Sequence, residues 1–232
     1  MATRSETQTL TGLASWRQLA GAAGITGVAL FIVTLGVLGM EEEYPDINRP
    51  IGEVRIWFQD NGTLAQTLSY MHAIVLLFLF MPFFLGIRSM LAEAEGEQAT
   101  WTQLGFFGGA VFVLLSLVAM AYTGVLAVAV EDLDDGTLTA FRYAEYTTIG
   151  VAYGLGSGLY LIGTGAAILR TKTLWRPLGW MALILGSIAV IGTANLIDPD
   201  PESLLNGLNF LGGVLGFGVV VLLQGVGLLI RR

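Results

Sequence analysis

The 232-residue chain has no cysteine, one histidine and one lysine, and only 12% of its residues carry charge. Without cysteine there is no disulfide, no thiolate metal ligand and no cysteine nucleophile. Lys172, the only lysine, falls outside every long apolar run, which excludes a retinal Schiff base within a span. A lone histidine, His72, excludes a bis-histidine haem. No catalytic constellation and no cofactor motif is present, so neither an enzyme activity nor a cofactor is expected.

What is abundant points to lipid as the solvent. Hydrophobic residues make up 54% of the chain and the mean hydropathy is +0.71, far from the composition of a soluble domain. Six uninterrupted apolar segments cover roughly 19–40, 67–91, 103–130, 146–169, 178–197 and 207–230, each matching the ~20 helical residues that cross a ~30 Å hydrocarbon layer. A backbone exposed to lipid must satisfy its own hydrogen bonds, and these runs lack the alternation of barrel strands. The expected fold is therefore all-α, an antiparallel bundle of six transmembrane helices over 19–232, preceded by a cytoplasmic segment over 1–18.

Charge sets the expected orientation. Arg4, Arg17, Arg88, Arg170, Lys172, Arg176, Arg231 and Arg232 fall on one side of the spans, and Arg49, Arg55 and Arg142 on the other. That bias predicts both termini in the cytoplasm. The acidic runs EEEYPD (41–46), EDLDD (131–135) and DPDPE (198–202) all occupy the opposite loops, so the net charge of −7 is an outward-facing field. Such a field attracts cations and repels anions, and no nucleic-acid partner is expected. EDLDDG is not an EF-hand loop, because Leu133 stands where that loop needs an oxygen ligand. Ten of the eleven cations are arginine, a composition of GC-rich genomes, so the expected location is the plasma membrane of a bacterium or archaeon.

Within the first acidic loop, Ile51, Val54 and Phe58 share a helical stripe, which predicts a short interfacial helix near 51–59, with Asn61-Gly62 turning the chain into the second span. NGT (61–63) matches the glycosylation acceptor pattern. Of the 31 glycines, Gly150, Gly154 and Gly158 in the fourth span and Gly212 and Gly216 in the sixth recur every four residues, spacing that lets helix backbones approach closely in lipid.

His72 sits in TLSYMHAIVLLFLFMPFF (67–84), near the acidic end of the second span. An ionisable group at that depth marks a candidate site. Ser69, Tyr122, Tyr146, Tyr153, Asn195 and Asn209 fall in the same layer of five spans, and Tyr146, Gly150, Tyr153, Ser157 and Tyr160 lie near one line of the fourth. These residues predict an outward-facing polar cavity. The same residue types also form interfacial belts and interhelical hydrogen bonds, which leaves His72 as either the centre of a pocket or a packing residue.

Two resemblances follow from motifs. GLGSG (154–158) distantly resembles the serine motif of rhomboid intramembrane proteases, but Leu155 replaces its first glycine and the sixth span has no histidine. MPFFLGIRSMLAEAEG (81–96) and LWRPLGWMALILGSI (174–188) resemble a group of six-span bacterial integral membrane proteins defined by a domain of unknown function. That resemblance implies the six-span fold and no active site. Two functions remain: binding or transport of a small molecule, ion or lipid through the outer cavity, or a structural or accessory subunit. Beyond the lipid bilayer, the expected partner is a second copy or another member of a membrane complex.

Overall fold

The structure, a computed structural model, describes the backbone of residues 4–41, 44–197, 199–200 and 202–230, with side chains from residue 16 onward except 35–43. The fold is that of an all-α, multi-pass membrane protein: among the described residues there is no strand, and six helices are long and apolar enough to cross a membrane. The first helix is Arg4–Glu41, within which Trp16–Thr34 is the apolar span. The others are Ile51–Glu95, Thr100–Ala129, Asp135–Thr171, Arg176–Leu196 and Leu204–Ile230. Each packs on its neighbours in sequence, and the sixth closes against the first. Because successive spans run in opposite directions, the described residues of the acidic loops, among them Asp46, Glu131, Asp132, Asp200 and Glu202, gather at one end of the bundle and Arg88, Arg170, Lys172 and Arg176 at the other.

Glycine contacts set the spacing between helices. A Cβ on Gly163 would lie 2.2 Å from the Gly105 nitrogen, and one on Gly108 2.3 Å from the Tyr160 nitrogen, so the third and fourth spans meet backbone to backbone. A Cβ on Gly158 would lie 2.7 Å from Val190, and one on Gly154 1.9 Å from the Thr193 hydroxyl. Gly150 faces Leu196, Gly212 faces the Ala189 backbone and Gly216 faces Leu185. Inside, aromatic rings from several spans interlock, with Phe217 stacked at 5.8 Å on Phe80 and tilted at 4.7 Å against Phe112.

Three spans widen into π-helical turns, at Leu76–Phe80, Ala152–Gly156 and Phe210–Gly216. The first ends two residues before Pro82, whose missing N–H and bulky ring disturb the ladder one turn back. A π turn inserts a residue and rotates everything beyond it, so the single line expected for Tyr146 through Tyr160 does not persist. Tyr153 and Tyr160 enter the aromatic core, whereas Tyr146 lines a pocket at the acidic end.

Two expectations are corrected. No separate interfacial helix ends at Asn61-Gly62, because Ile51–Val75 is one uninterrupted helix. Asn61 donates to the Trp57 carbonyl four residues back (3.2 Å), and Gly62 sits where a Cβ would lie 2.8 Å from the Ala127 carbonyl. This Asn-Gly serves close packing instead of a turn. The fourth helix starts at Asp135 instead of near 146, because Asp134 caps it by accepting from the Thr137 N–H at 2.8 Å.

Both corrections lengthen the bundle. The 45 residues of the second rod extend about 68 Å at 1.5 Å per residue, twice the hydrocarbon thickness. Its first turns pack Val54, Trp57, Phe58 and Ala65 on Leu126, Val130 and Leu138, a second apolar core at the acidic end. Arg55 fastens it by donating to the Leu133 carbonyl (2.8 Å) and pairing with Asp135 (2.7 Å).

Candidate functional site

At the acidic end, Arg142 and Glu145, one turn apart on the fourth helix, form an ion pair that is 6% and 7% exposed. Their spacing of three puts both on one helical face. That face meets the chain segment following the first helix. The Tyr44 hydroxyl donates to one Glu145 oxygen at 2.5 Å, and the Thr123 hydroxyl of the third span donates to the same oxygen at 2.6 Å. Arg142 donates through Nη1 to the other Glu145 oxygen and to the Tyr44 hydroxyl (3.0 Å), and through Nη2 to the Pro45 carbonyl (2.5 Å). Its guanidinium also lies 5.0 Å from the Tyr44 ring centre. Burial, and then the adjacent Glu145 carboxylate, push the Tyr44 phenol well above its usual range, so it acts as a neutral donor.

Among the described residues Arg142 Nε is buried without a hydrogen-bond partner. Removing a charged donor from water without a hydrogen bond is expensive. Arg142 also forms part of the wall of two adjoining pockets. One, of about 290 Å³, is lined by residues that include Tyr44, Asp46, Glu145, Tyr146 and Asn206. The other, of about 270 Å³, opens between Asn48, Arg49, Thr139 and Tyr143. The first is close to the lower size limit of small-molecule sites.

The residues expected to share an outer cavity are distributed differently. His72 is 5% exposed and packed. Its Nδ1 lies 3.1 Å from the Leu68 carbonyl, its Nε2 3.0 Å from the Thr34 hydroxyl, and its ring meets Phe31 edge-on at 5.3 Å. A carbonyl only accepts, so Nδ1 carries the proton; Nε2 of the neutral ring accepts from Thr34 when that hydroxyl turns away from the Leu30 and Phe31 carbonyls, each 3.0 Å from it. Ser69 donates to Ala65 within its own helix, Tyr122 packs on Phe141, and Tyr153 packs on Phe31 and Phe112. Asn209 donates to the Gly150 carbonyl (3.3 Å) and lies 3.5 Å from Asn195, whose amide donates to Asn206 at 3.3 Å. This asparagine chain backs the larger pocket through Asn206. Of the seven candidates, Tyr146 alone is part of that pocket's lining. Ser157, fully buried, donates to the Tyr153 carbonyl one turn back, an arrangement of packing and not of a nucleophile.

Sequence reasoning placed Arg142 in a loop and passed over Glu145, Tyr44 and Thr34. Counting apolar windows ends a span at its first charges, which cut off the stretch that carries the ion pair. The R-x-x-E spacing (142–145) beside a capping Asp134 was the available signal. Neither a known protein family, nor a characterised protein, nor a solved structure matches the chain.

Proposed function

We propose that this is a plasma-membrane protein of a bacterium or archaeon, with both termini cytoplasmic, that binds a small polar molecule from the outer side in the pocket beside Arg142 and Glu145. The observation that carries the reading is the pocket itself, which Arg142 lines together with Asp46, Glu145, Tyr146 and Asn206. Arg142 offers a ligand acceptor a charged donor, while the Asp46 and Glu145 carboxylates and Asn206 offer partners for ligand donors. The fitting ligand therefore carries both kinds of group, as amino acids and polyols do. Arginine and lysine concentrated at the opposite end support the orientation.

The test is a thermal-shift panel of amino acids, sugars, polyols and small carboxylates on the purified protein, beside Asn206→Ala and Tyr146→Phe, which alter the lining without breaking the ion pair. At about 100-fold excess over its dissociation constant a bound member stabilises by about 2.7 kcal/mol, and the variants should diminish that gain. A panel without a shift rejects the binding reading and favours the structural-subunit alternative, and a shift unchanged in both variants rejects this pocket as the site. Because the chain has no cysteine, impermeant thiol labels on cysteines introduced at Asp134 and Asp200, but not at Glu95 and Lys172, test the orientation.

A further inference from the structure

The exposed face of the second rod shows how far the pocket beside Arg142 and Glu145 stands from lipid. From Gln59 to Thr67 every exposed side chain on that rod is polar: Gln59, Asp60, Thr63, Gln66 and Thr67. From Tyr70 they are aromatic or apolar, with Met71, Ile74, Leu77, Phe78 and Leu85 following, and they become polar again at Glu93. Tyr70 to Glu93 covers about 35 Å at 1.5 Å per residue, close to the ~30 Å of a hydrocarbon layer. The Tyr44 ring meets Trp57 at 4.9 Å and Phe58 at 6.0 Å. That level is about 18 Å further along the rod than Tyr70, so the pocket is set among aqueous loops and not among acyl chains.

Around the pocket the charges do not cancel. Among the described residues three carboxylates, Asp46, Glu53 and Glu145, meet two guanidiniums: Arg49 lies 3.7 Å from Asp46 and 3.4 Å from Glu53, and Arg142 pairs with Glu145. The hydrogen bonds lean the same way. Arg142 already gives N–H groups to Glu145, Tyr44 and Pro45, whereas Asp46 is exposed and its Oδ1 takes the Asn48 N–H at 2.8 Å, leaving lone pairs for a donor. The rest of the wall is largely carbon, from Pro45, Ile47, Ile149 and the rings of Tyr44 and Tyr146.

On the reading that this pocket binds a ligand, we propose that its occupant is a small organic cation, an ammonium group held by the Asp46 and Glu145 carboxylates with an apolar body against Ile47, Tyr146 and Ile149. A single positive charge offsets the excess carboxylate, and the acidic loops around the mouth attract it from water. The volume of about 290 Å³ is that of about ten water molecules at about 30 Å³ each, room for about ten non-hydrogen atoms.

The test is calorimetric titration of the full chain in nonionic detergent with three probes of one shape and different charge: tyramine, tyrosol and 4-hydroxyphenylacetate. Tyramine should bind about tenfold more tightly than tyrosol, the gain of a hydrogen bond to a charged partner, and the carboxylate should bind least. Asp46→Asn keeps an acceptor for the Asn48 N–H and loses only the charge; it should cut the ratio of tyramine to tyrosol at least threefold, as should high salt. Equal binding of the three probes, or a tyramine preference unchanged in Asp46→Asn, overturns the cation and leaves the pocket standing as a site. So does silence from all three while a member of the polar panel shifts the melting temperature. Silence from both sets rejects the pocket as a site, and the cation with it.

Discussion

Arg142 donates to the carbonyl of Pro45, 97 residues earlier in the chain, and so pins the segment that follows the first helix onto the fourth. The same guanidinium completes an ion pair with Glu145 in a setting where both are almost fully buried. The pocket wall and the tertiary anchor are therefore one structure.

Breaking that pair from one side should be costly. Arg142→Met leaves the Glu145 carboxylate buried without its cation, and Glu145→Met leaves the guanidinium so; each should destabilise by about 3–5 kcal/mol. The double variant removes both desolvation penalties and should recover most of the loss. Thermal unfolding of the three variants in detergent checks this, and simple additivity of the single losses would contradict it.

His72 should behave as a packing residue. His72→Ala removes a ring held by Thr34, Leu68 and Phe31, and should destabilise by about 1–3 kcal/mol through a void and unpaired groups. Thr34→Val isolates the hydrogen bond and should lose only part of this. A stable His72→Ala protein in the same melting assay would show instead that water reaches the ring.

Glycines of the same composition should respond in opposite ways. Gly163→Ala and Gly213→Ala would place a Cβ 2.2 Å and 2.1 Å from backbone atoms of neighbouring spans, and should lose about 1–3 kcal/mol or more. Gly124, mid-helix with nothing within 4 Å of an added Cβ, should gain about 0.5–1 kcal/mol on change to alanine. Melting temperatures that rank these three differently would refute the packing described above.

The cap at Asp134 should titrate. Hydrogen bonds from the Thr137 N–H and hydroxyl hold its carboxyl below the usual aspartate range. Because the folded pKa is depressed, the stabilisation is complete above the unfolded value of about 3.9 and fades as pH falls through the folded one. Asp134→Ala should lower the melting temperature at neutral pH. Asp134→Asn, which caps without titrating, should flatten the acid limb below about pH 4. A variant whose acid limb matches wild type would remove Asp134 from the acid response.

Legibility differed between the bundle and its site. Spans were visible because a bilayer imposes a length on apolar runs, and the fourfold glycine spacing of Gly150, Gly154 and Gly158 is local to one helix. The starts at Ile51 and Asp135 were not visible, since both helices continue past the membrane on amphipathic turns that a count of apolar residues discards. His72 stood out by its type. Its partner Thr34 did not, since nothing in a threonine's neighbours in sequence reveals which distant ring it will meet.

By itself, then, the sequence determined the solvent, the number of spans and the segregation of acidic loops from basic ones, because transfer of side chains to lipid and the charge of short loops depend on composition within about twenty residues. The tertiary structure alone decided which polar groups share a site. Tyr44 meets Glu145 across 101 positions and Arg142 meets Pro45 across 97. Such meetings depend on the rotation and depth of each helix, which π turns at Leu76–Phe80, Ala152–Gly156 and Phe210–Gly216 reset partway along three of the six spans.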